Sequence, residues 1–351
     1  MNFASNEADD ILSETIARFA AEELRPRLRE FEAARSVSAE VRERFEALGF
    51  GAVDLPEHIG GAGLGLSSRV RANRVLAEAD AGAALALDRF GPAVYVVEAF
   101  ALDGSLNDRV RAIVNEPKAR MALVLDPDAG ATTAGSISGD VPWSACDKAD
   151  ILVGIGREGA WLLESGFEIS PVRGAALHAA GASRIRYAGR PTHIWRDPSA
   201  ATQALARIRL YHASLIWGVL ADASGFSRRY ALERVAFGRP IAHHQALAFL
   251  MVDMHIAVER VGLLVEDAAR KIDGRESAVD AAASAFVDAV EASRFVGPNG
   301  VQILGGHGFM RDYPVEKAMR DCRALGLLAG GVDAARADVG MELSIGAELA
   351  A

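Results

Sequence analysis

The sequence predicts a mainly α-helical chain with a small β domain at its centre, and three observations carry the prediction. Apolar residues recur at three-and-four spacing through the N-terminal third; between about Arg120 and Trp195 they fall into short runs broken by Gly, Pro, Asp and Ser; from about Ser199 the helical spacing returns. The 351 residues exceed what one core usually fills. The expected division is therefore a helical domain over 1–116, a short β domain over 117–198 and a helical bundle over 199–351.

From Asn6 onward, Leu12, Ile16, Phe19, Leu24, Leu28 and Phe31 predict a first helix bent at Pro26. Val41, Phe45 and Leu48 predict a second, ended by Gly49 in a left-handed conformation. The run HIGGAGLG, residues 58–65, leads into a helix from Ser67 to about Ala86, and another is expected from about Pro92 to Val114. MALVLD, ADILVGI, AWLLES and SRIRYAG read as strands. Leu247, Leu250, Met254, Val258, Val261, Val265, Ala268 and Ile272 then mark one apolar face of a long bundle helix.

The net charge of −9, with no cluster of lysine or arginine, argues against a nucleic-acid partner. Cys146 and Cys322 form no CxxC pair, and His243, His244 and His255 lack both the HExxH spacing and an acidic third ligand, so no metal site is expected. The opening MNFASNEADD is acidic where a signal peptide is basic, and no uncharged apolar run reaches about 18 residues. A cytoplasmic protein without membrane insertion is the expectation.

Three glycine-bearing stretches stand out. HIGGAGLG matches neither a Walker sequence nor the dinucleotide fingerprint. ERVAFGRPIAHHQA, residues 233–246, sets Arg234, Arg239 and Gln245 around a corner made by Gly238 and Pro240. That corner either presents guanidinium and amide groups to a pyrophosphate and an adenine, or is a solvated interhelical turn. In VQILGGHGF, residues 301–309, the paired glycines either let a ligand approach the backbone or terminate a helix.

Taken in order, ARFAAEELRP, ALGFGAVDLPEHIGGAGLG, LAEADAGAALAL, YALERVAFGRPIAHHQALAF and VQILGGHGFMRDYPVEKAMRD resemble the acyl-CoA dehydrogenase family over nearly the whole chain. The resemblance implies an N-terminal helical domain, a central β domain and a C-terminal four-helix bundle, with FAD at a subunit interface of a dimer or tetramer. It implies an acyl-CoA substrate, α,β-dehydrogenation, and electron-transferring flavoprotein as acceptor. By the same resemblance, Arg234, Phe237 and Gln245 hold the adenosine-pyrophosphate part of the neighbouring subunit's FAD, Gln302, Gly305 and Gly306 line that cofactor, and Trp143 stands beside the flavin.

The chain departs from the family where the flavin ring and the base belong. LDPDAGA replaces a Thr-Glu-Pro-Gly-Ala-Gly-Ser-type stretch, which puts Leu125 and Ala131 at two hydroxyl positions; in WSAC, Ser144 stands in for a threonine only with a one-residue shift. In LLAGGVDAAR, after the charged run RDYPVEKAMRDCR, Ala329 occupies the position of the family's proton-abstracting glutamate and Gly331 that of a threonine. The family's other base position is matched by Ile208. The resulting expectation is a catalytically incomplete subunit of a heteromeric, FAD-dependent acyl-CoA dehydrogenase. Two further readings stay open: a homomeric flavoenzyme with a displaced base such as His307, and a non-catalytic member that binds an acyl-CoA or a protein.

Overall fold

A computed structural model describes residues 7–100, 119–130 and 135–350, with positions 108, 112, 115 and 116 besides. The first helix bends at the expected place and does so in steps. α1 (Glu7–Phe19) passes into a wide π-turn at Ala20–Leu24 and a tight 3-10 turn at Arg25–Arg27, after which α2 (Leu28–Ala34) resumes. Pro26 lacks an N–H to continue the ladder, and the change of winding absorbs the break. In α3 (Ala39–Ala47) Val41 and Phe45 are buried, and Gly49 is left-handed at φ 70°. Leu48, expected on the same face, lies beyond the last helical turn and is exposed.

α4 (Leu66–Leu87) contains an interruption that periodicity does not reveal. Asp80 is extended (φ −163°, ψ 110°), and its Oδ1 accepts hydrogen bonds from the backbone N–H groups of Gly82 (2.8 Å) and Ala83 (3.2 Å). An aspartate in that conformation is an N-cap, so α4 is two helices end to end. α5 (Ala93–Phe100) begins the next expected helix; its expected continuation toward Val114 falls largely outside the described residues.

The four expected strands are β1 (Met121–Leu125), β3 (Ile151–Ile155), β4 (Ala160–Leu163) and β6 (Ser183–Gly189). Three more, β2 (Ile137–Ser144), β5 (Phe167–Pro171) and β7 (His193–Trp195), are too mixed in polarity to stand out in the sequence. The strands form a sheet of order β1-β3-β4-β7, in which only the β1-β3 pair is parallel, and an antiparallel sheet of order β2-β6-β5. Leu152, Trp161, Ile185 and Tyr187 pack in a small core of the strand region, whereas Ile151, Val153 and Leu162 join the main helical core. Both faces of β3 are thus covered, which is why ILVGI is apolar throughout.

α6 (Pro198–Glu233), α7 (Gln245–Asp273) and α8 (Val279–Leu304) make the bundle with α9 (Val315–Leu325) and α10 (Gly331–Ala350). Asp197 caps α6 by accepting from the N–H groups of Ser199 and Ala200. No helix among the described residues is long and apolar enough to cross a membrane.

The charged run on α9 is largely buried ion pairing, not a solvated face. Lys317 Nζ donates to Asp80 Oδ1 (2.9 Å) and Asp321 Oδ2 (2.5 Å), and Asp321 Oδ1 accepts from Leu177 N (2.7 Å). Arg320 donates to Glu32 on α2 (2.7 Å) and to Glu316 (2.9 Å). Burial alone would raise the Glu32 pKa, but hydrogen bonds from Arg29 and Arg320 outweigh it and hold the value down from 4.5 to about 2. Glu32 therefore stabilises the folded state above its unfolded pKa, and this contribution is lost as pH falls from about 4.5 towards 2. Thermal melts of Glu32→Gln should accordingly show a weaker loss of Tm across that range than the parent chain.

Candidate functional site

The end of α4, the turn after it, β1, the end of β2 with its following loop, α6 and the segment after α9 enclose a cavity of about 230 Å³. Leu125, Trp143, Ser144, Cys146, Tyr211, His212, Leu328 and Ala329 are on its walls. The expected flavin-side residues Leu125 and Trp143 and the expected base position Ala329 thus meet in one place; Ala131 lies outside the described residues. Ile208 is fully buried and does not line the cavity.

Ala329, Gly330 and Gly331 are all left-handed, at φ 54°, 86° and 73°. Two glycines make that turn accessible, and alanine has the smallest side chain that tolerates it. The turn carries no acid or base. The carboxylates on the cavity wall are Asp88 and Asp147, and both are engaged. Asp88 accepts from Phe90 N, Gly91 N and Tyr211 Oη (2.9 Å) and stands 3.5 Å from the buried Arg69; Asp147 pairs with Arg42 at 3.0 Å. Arg69 also bonds Asp54, which accepts from Tyr95 Oη at 2.6 Å. Burial first, then these carboxylates, push the Tyr95 and Tyr211 hydroxyls well up, so both remain neutral donors.

His212 was not singled out by sequence. It is 4% exposed, and its Nδ1 lies 2.8 Å from the Ile208 carbonyl, which can only accept, so Nδ1 carries the proton and Nε2 the lone pair. Burial lowers its pKa to about 4 despite that bond. Its position one helical turn after Ile208 is the signal that could have found it.

A second group of expected residues lies elsewhere and faces outward. β8 (Val235–Ala236) and β9 (Arg239–Pro240) form a hairpin whose two-residue loop, Phe237-Gly238, is left-handed at both positions (φ 53° and 79°). This is a type I′ turn; it projects the Phe237 ring, which is 95% exposed. His244 braces the hairpin: Nε2 donates to Ala236 O (3.3 Å) and Nδ1 accepts from Arg239 (3.2 Å). Arg234, Gln245, Gln302, Gly305 and Gly306 are exposed as well. Nothing lies within 4 Å of where a side chain at Gly305 or Gly306 would begin, so this backbone is open to approach.

Tyr230 joins the two stretches, its hydroxyl 2.8 Å from His307 Nδ1 across from the end of α6, with His307 stacked on Tyr313 at 5.1 Å. His307 is therefore part of this outer surface and does not line the cavity of Ala329. Among the described residues no cluster of His, Cys, Asp and Glu could hold a metal ion.

α7 has two apolar faces. Met254, Val258, Val261 and Val265 are buried in the bundle, whereas Phe249, Val252, Ile256 and Leu263 are 53–61% exposed at helical spacing.

Comparison with known proteins agrees with this architecture. Benzylmalonyl-CoA dehydrogenase of Aromatoleum aromaticum is 29% identical over 94% of this chain and 96% of its own length. The caffeyl-CoA reductase-Etf complex subunit CarC of Acetobacterium woodii is 38% identical, over 38% of this chain and 35% of its own length; the chain matches only about a third of that relative. The fold of butyryl-CoA dehydrogenase from Megasphaera elsdenii superposes with a TM-score of 0.85 at 21% identity, covering 98% of this chain and 100% of that one. The acyl-CoA dehydrogenase N-terminal domain matches residues 6–101 and the acyl-CoA dehydrogenase C-terminal domain matches residues 199–344. With both terminal domains matched over well more than half of its length, the chain belongs to the acyl-CoA dehydrogenase family.

Proposed function

We propose that this chain is a subunit of a heteromeric, FAD-dependent acyl-CoA dehydrogenase, located in the cytoplasm, that completes a related neighbour's cofactor site while lacking a base of its own. The working domain boundaries are 1–116, 117–198 and 199–351. The observation that carries the reading is the pairing of an open outer surface with a cavity devoid of a free carboxylate.

The outer surface fits FAD. Arg234 supplies charge-assisted hydrogen bonds to a pyrophosphate, Gln245 and Gln302 supply amides, Phe237 supplies a ring, and Gly305-Gly306 offers bare backbone. None of these groups points into this chain's cavity, which suits a cofactor held largely by a neighbour. The exposed stripe on α7 gives such a neighbour an apolar face to cover, and a homologous chain in a dimer or tetramer is the partner we propose.

The cavity fits a flavin ring poorly. Its 230 Å³ falls below the roughly 300 Å³ at which ligand pockets begin. Leu125, which offers no hydrogen bond, extends towards the Ala329 turn: a side-chain carbon on Gly330 would come within 3.6 Å of Leu125 Cδ1. No step through a flavin in this chain's own cavity follows.

The chemistry sets the division of labour. α,β-Dehydrogenation needs a base for the α-proton, and a bound flavin would supply the acceptor for the β-hydrogen; here a methyl group stands at the base position and Asp88 and Asp147 are committed to partners. The base must come from the related chain. Electron-transferring flavoprotein is the proposed acceptor, supported by the Etf-complex relationship of CarC.

Arg234→Ala should lower FAD occupancy of the assembly without unfolding this chain, because the side chain is exposed and its backbone N–H, bonded to Tyr230 O, is untouched. The check is the flavin-to-protein absorbance ratio after gel filtration, beside the far-ultraviolet melting curve. Full flavin retention in the variant assembly would remove Arg234 from the site. As a test of the whole reading, the chain purified alone should carry little flavin, and the chain co-purified with a related partner should carry it.

A further inference from the structure

Both ring nitrogens of His178 face oxygens that accept hydrogen bonds and have none to give. Nε2 lies 2.8 Å from the Gly174 carbonyl and Nδ1 lies 3.2 Å from Glu32 Oε1. Burial works against the charge of Glu32, yet the bonds from Arg29 and Arg320 hold its pKa at about 2, so it brings no proton to the contact. A neutral imidazole carries one N–H, and either tautomer would set a nitrogen lone pair against an oxygen lone pair. The doubly protonated ring satisfies both contacts.

The ring sits where three parts of the chain meet. His178 begins the 3-10 turn His178–Ala180 between β5 and β6, Glu32 is on α2, and Arg320 on α9 reaches both Glu32 (2.7 Å) and the Ala175 carbonyl (2.6 Å). The turn ends in Ala180, on the wall of the cavity described above. At the next residue, Gly181, a side-chain carbon would come within 3.1 Å of Asp147, which lines the same wall. Of the other charges around the turn, Arg29 bridges Glu32 and Glu316, and Glu316 also pairs with Arg320. Lys317, Asp80 and Asp321 form the buried network that holds Leu177 N. Glu32 is the acidic side chain in contact with the ring.

We propose that His178 is a proton-operated strap: as an imidazolium it ties the 174–181 segment to α2 and fixes that wall of the cavity, and as a neutral ring it releases Glu32. The neutral ring keeps the shorter contact, to Gly174 O. Imidazole is the side chain that changes charge near physiological pH. The folded contacts favour the charged form, so the strap holds at lower pH and is lost as pH rises. Its loss leaves the bonds from Arg320 to Ala175 O and from Leu177 N to Asp321 in place, and the segment loosens without unfolding the chain. The device is independent of which ligand the cavity takes.

The test pairs nitrogen-15 NMR of histidine-labelled protein with amide hydrogen exchange, both on the full chain, in wild type and in His178→Gln. At about pH 7 the ring signals that are missing from His178→Gln should report two protonated nitrogens. Peptides covering 174–181, corrected for the intrinsic pH dependence of exchange, should exchange about tenfold faster at about pH 9 than at about pH 6, as a charge-assisted hydrogen bond is lost. Peptides from α7 should not change. His178→Gln, with a neutral amide in place of the cationic ring, should exchange at the faster rate at both pH values. A ring with one protonated nitrogen at about pH 7 would overturn the proposal. So would protection of 174–181 that is the same at both pH values in wild type, or a pH dependence that persists in His178→Gln.

Discussion

Lys317→Met is expected to lower the stability of the chain by about 3–5 kcal/mol, the usual cost of removing one partner from a buried ion pair. The ammonium lies between Asp80 and Asp321 with side chains 0–4% exposed, and Asp80 Oδ2 already lacks a hydrogen-bond partner among the described residues. Burial opposes the charge on Lys317, but the two carboxylates outweigh it and hold the ammonium protonated. Methionine keeps the volume and removes the charge, so two carboxylates would face each other in the core. The network also joins three segments: Asp80 caps the second half of α4, Asp321 holds Leu177 N, and α9 leads into the turn of Ala329.

Combining Lys317→Met with Asp80→Asn and Asp321→Asn should recover part of the loss. Asparagine can still accept from Gly82 N and Leu177 N, and neutralising all three positions removes the unpaired charge. Urea denaturation midpoints, at unchanged slope, measure both effects. A loss below about 1 kcal/mol for Lys317→Met would mean that the buried network is not what fixes α9.

This network also marks a boundary of what sequence reveals. The positions of the long helices, the four apolar strands and the bend at Pro26 follow from periodicity and backbone chemistry, which are local. Asp80 pairs with Lys317 across 237 positions, and no local pattern distinguishes a charge run that will be buried from one that will be solvated. β2, β5 and β7 escaped for a related reason: neighbouring strands and loops, not their own alternation, make them strands.

The candidate site divides in the same way. Arg234, Phe237, Gln245 and the Gly305-Gly306 pair were legible as two motifs, and the Tyr230-His307 hydrogen bond shows the motifs tied to one another. Ala329 was legible as an absence. His212 was not, since a single histidine on an apolar helix is ordinarily a satisfied core residue. Its tautomer, set by Ile208 O, and its place on the cavity wall follow from the three-dimensional packing alone.

The second large expected effect concerns catalysis by the isolated chain. A positioned base contributes about 10²–10⁴-fold to a proton-transfer step, and it must stand within about 3 Å of the proton it removes. On the proposed reading Ala329 stands at that position, and the two carboxylates on the cavity wall, Asp88 and Asp147, are already engaged. Ala329→Glu would not by itself restore activity, since Leu125 still faces the turn and the residue at 329 is left-handed, a backbone state that favours glycine. Co-expression with a related chain that carries the glutamate should.

The measurement that bears most directly on the account is steady-state turnover of the isolated wild-type chain, supplied with FAD and an artificial electron acceptor, over a panel of saturated acyl-CoAs. The incomplete-subunit account predicts turnover at background for every ester, with activity appearing when the partner chain is present. Turnover of about 1 s⁻¹ or more by the chain alone, within the ordinary enzyme range, would contradict it.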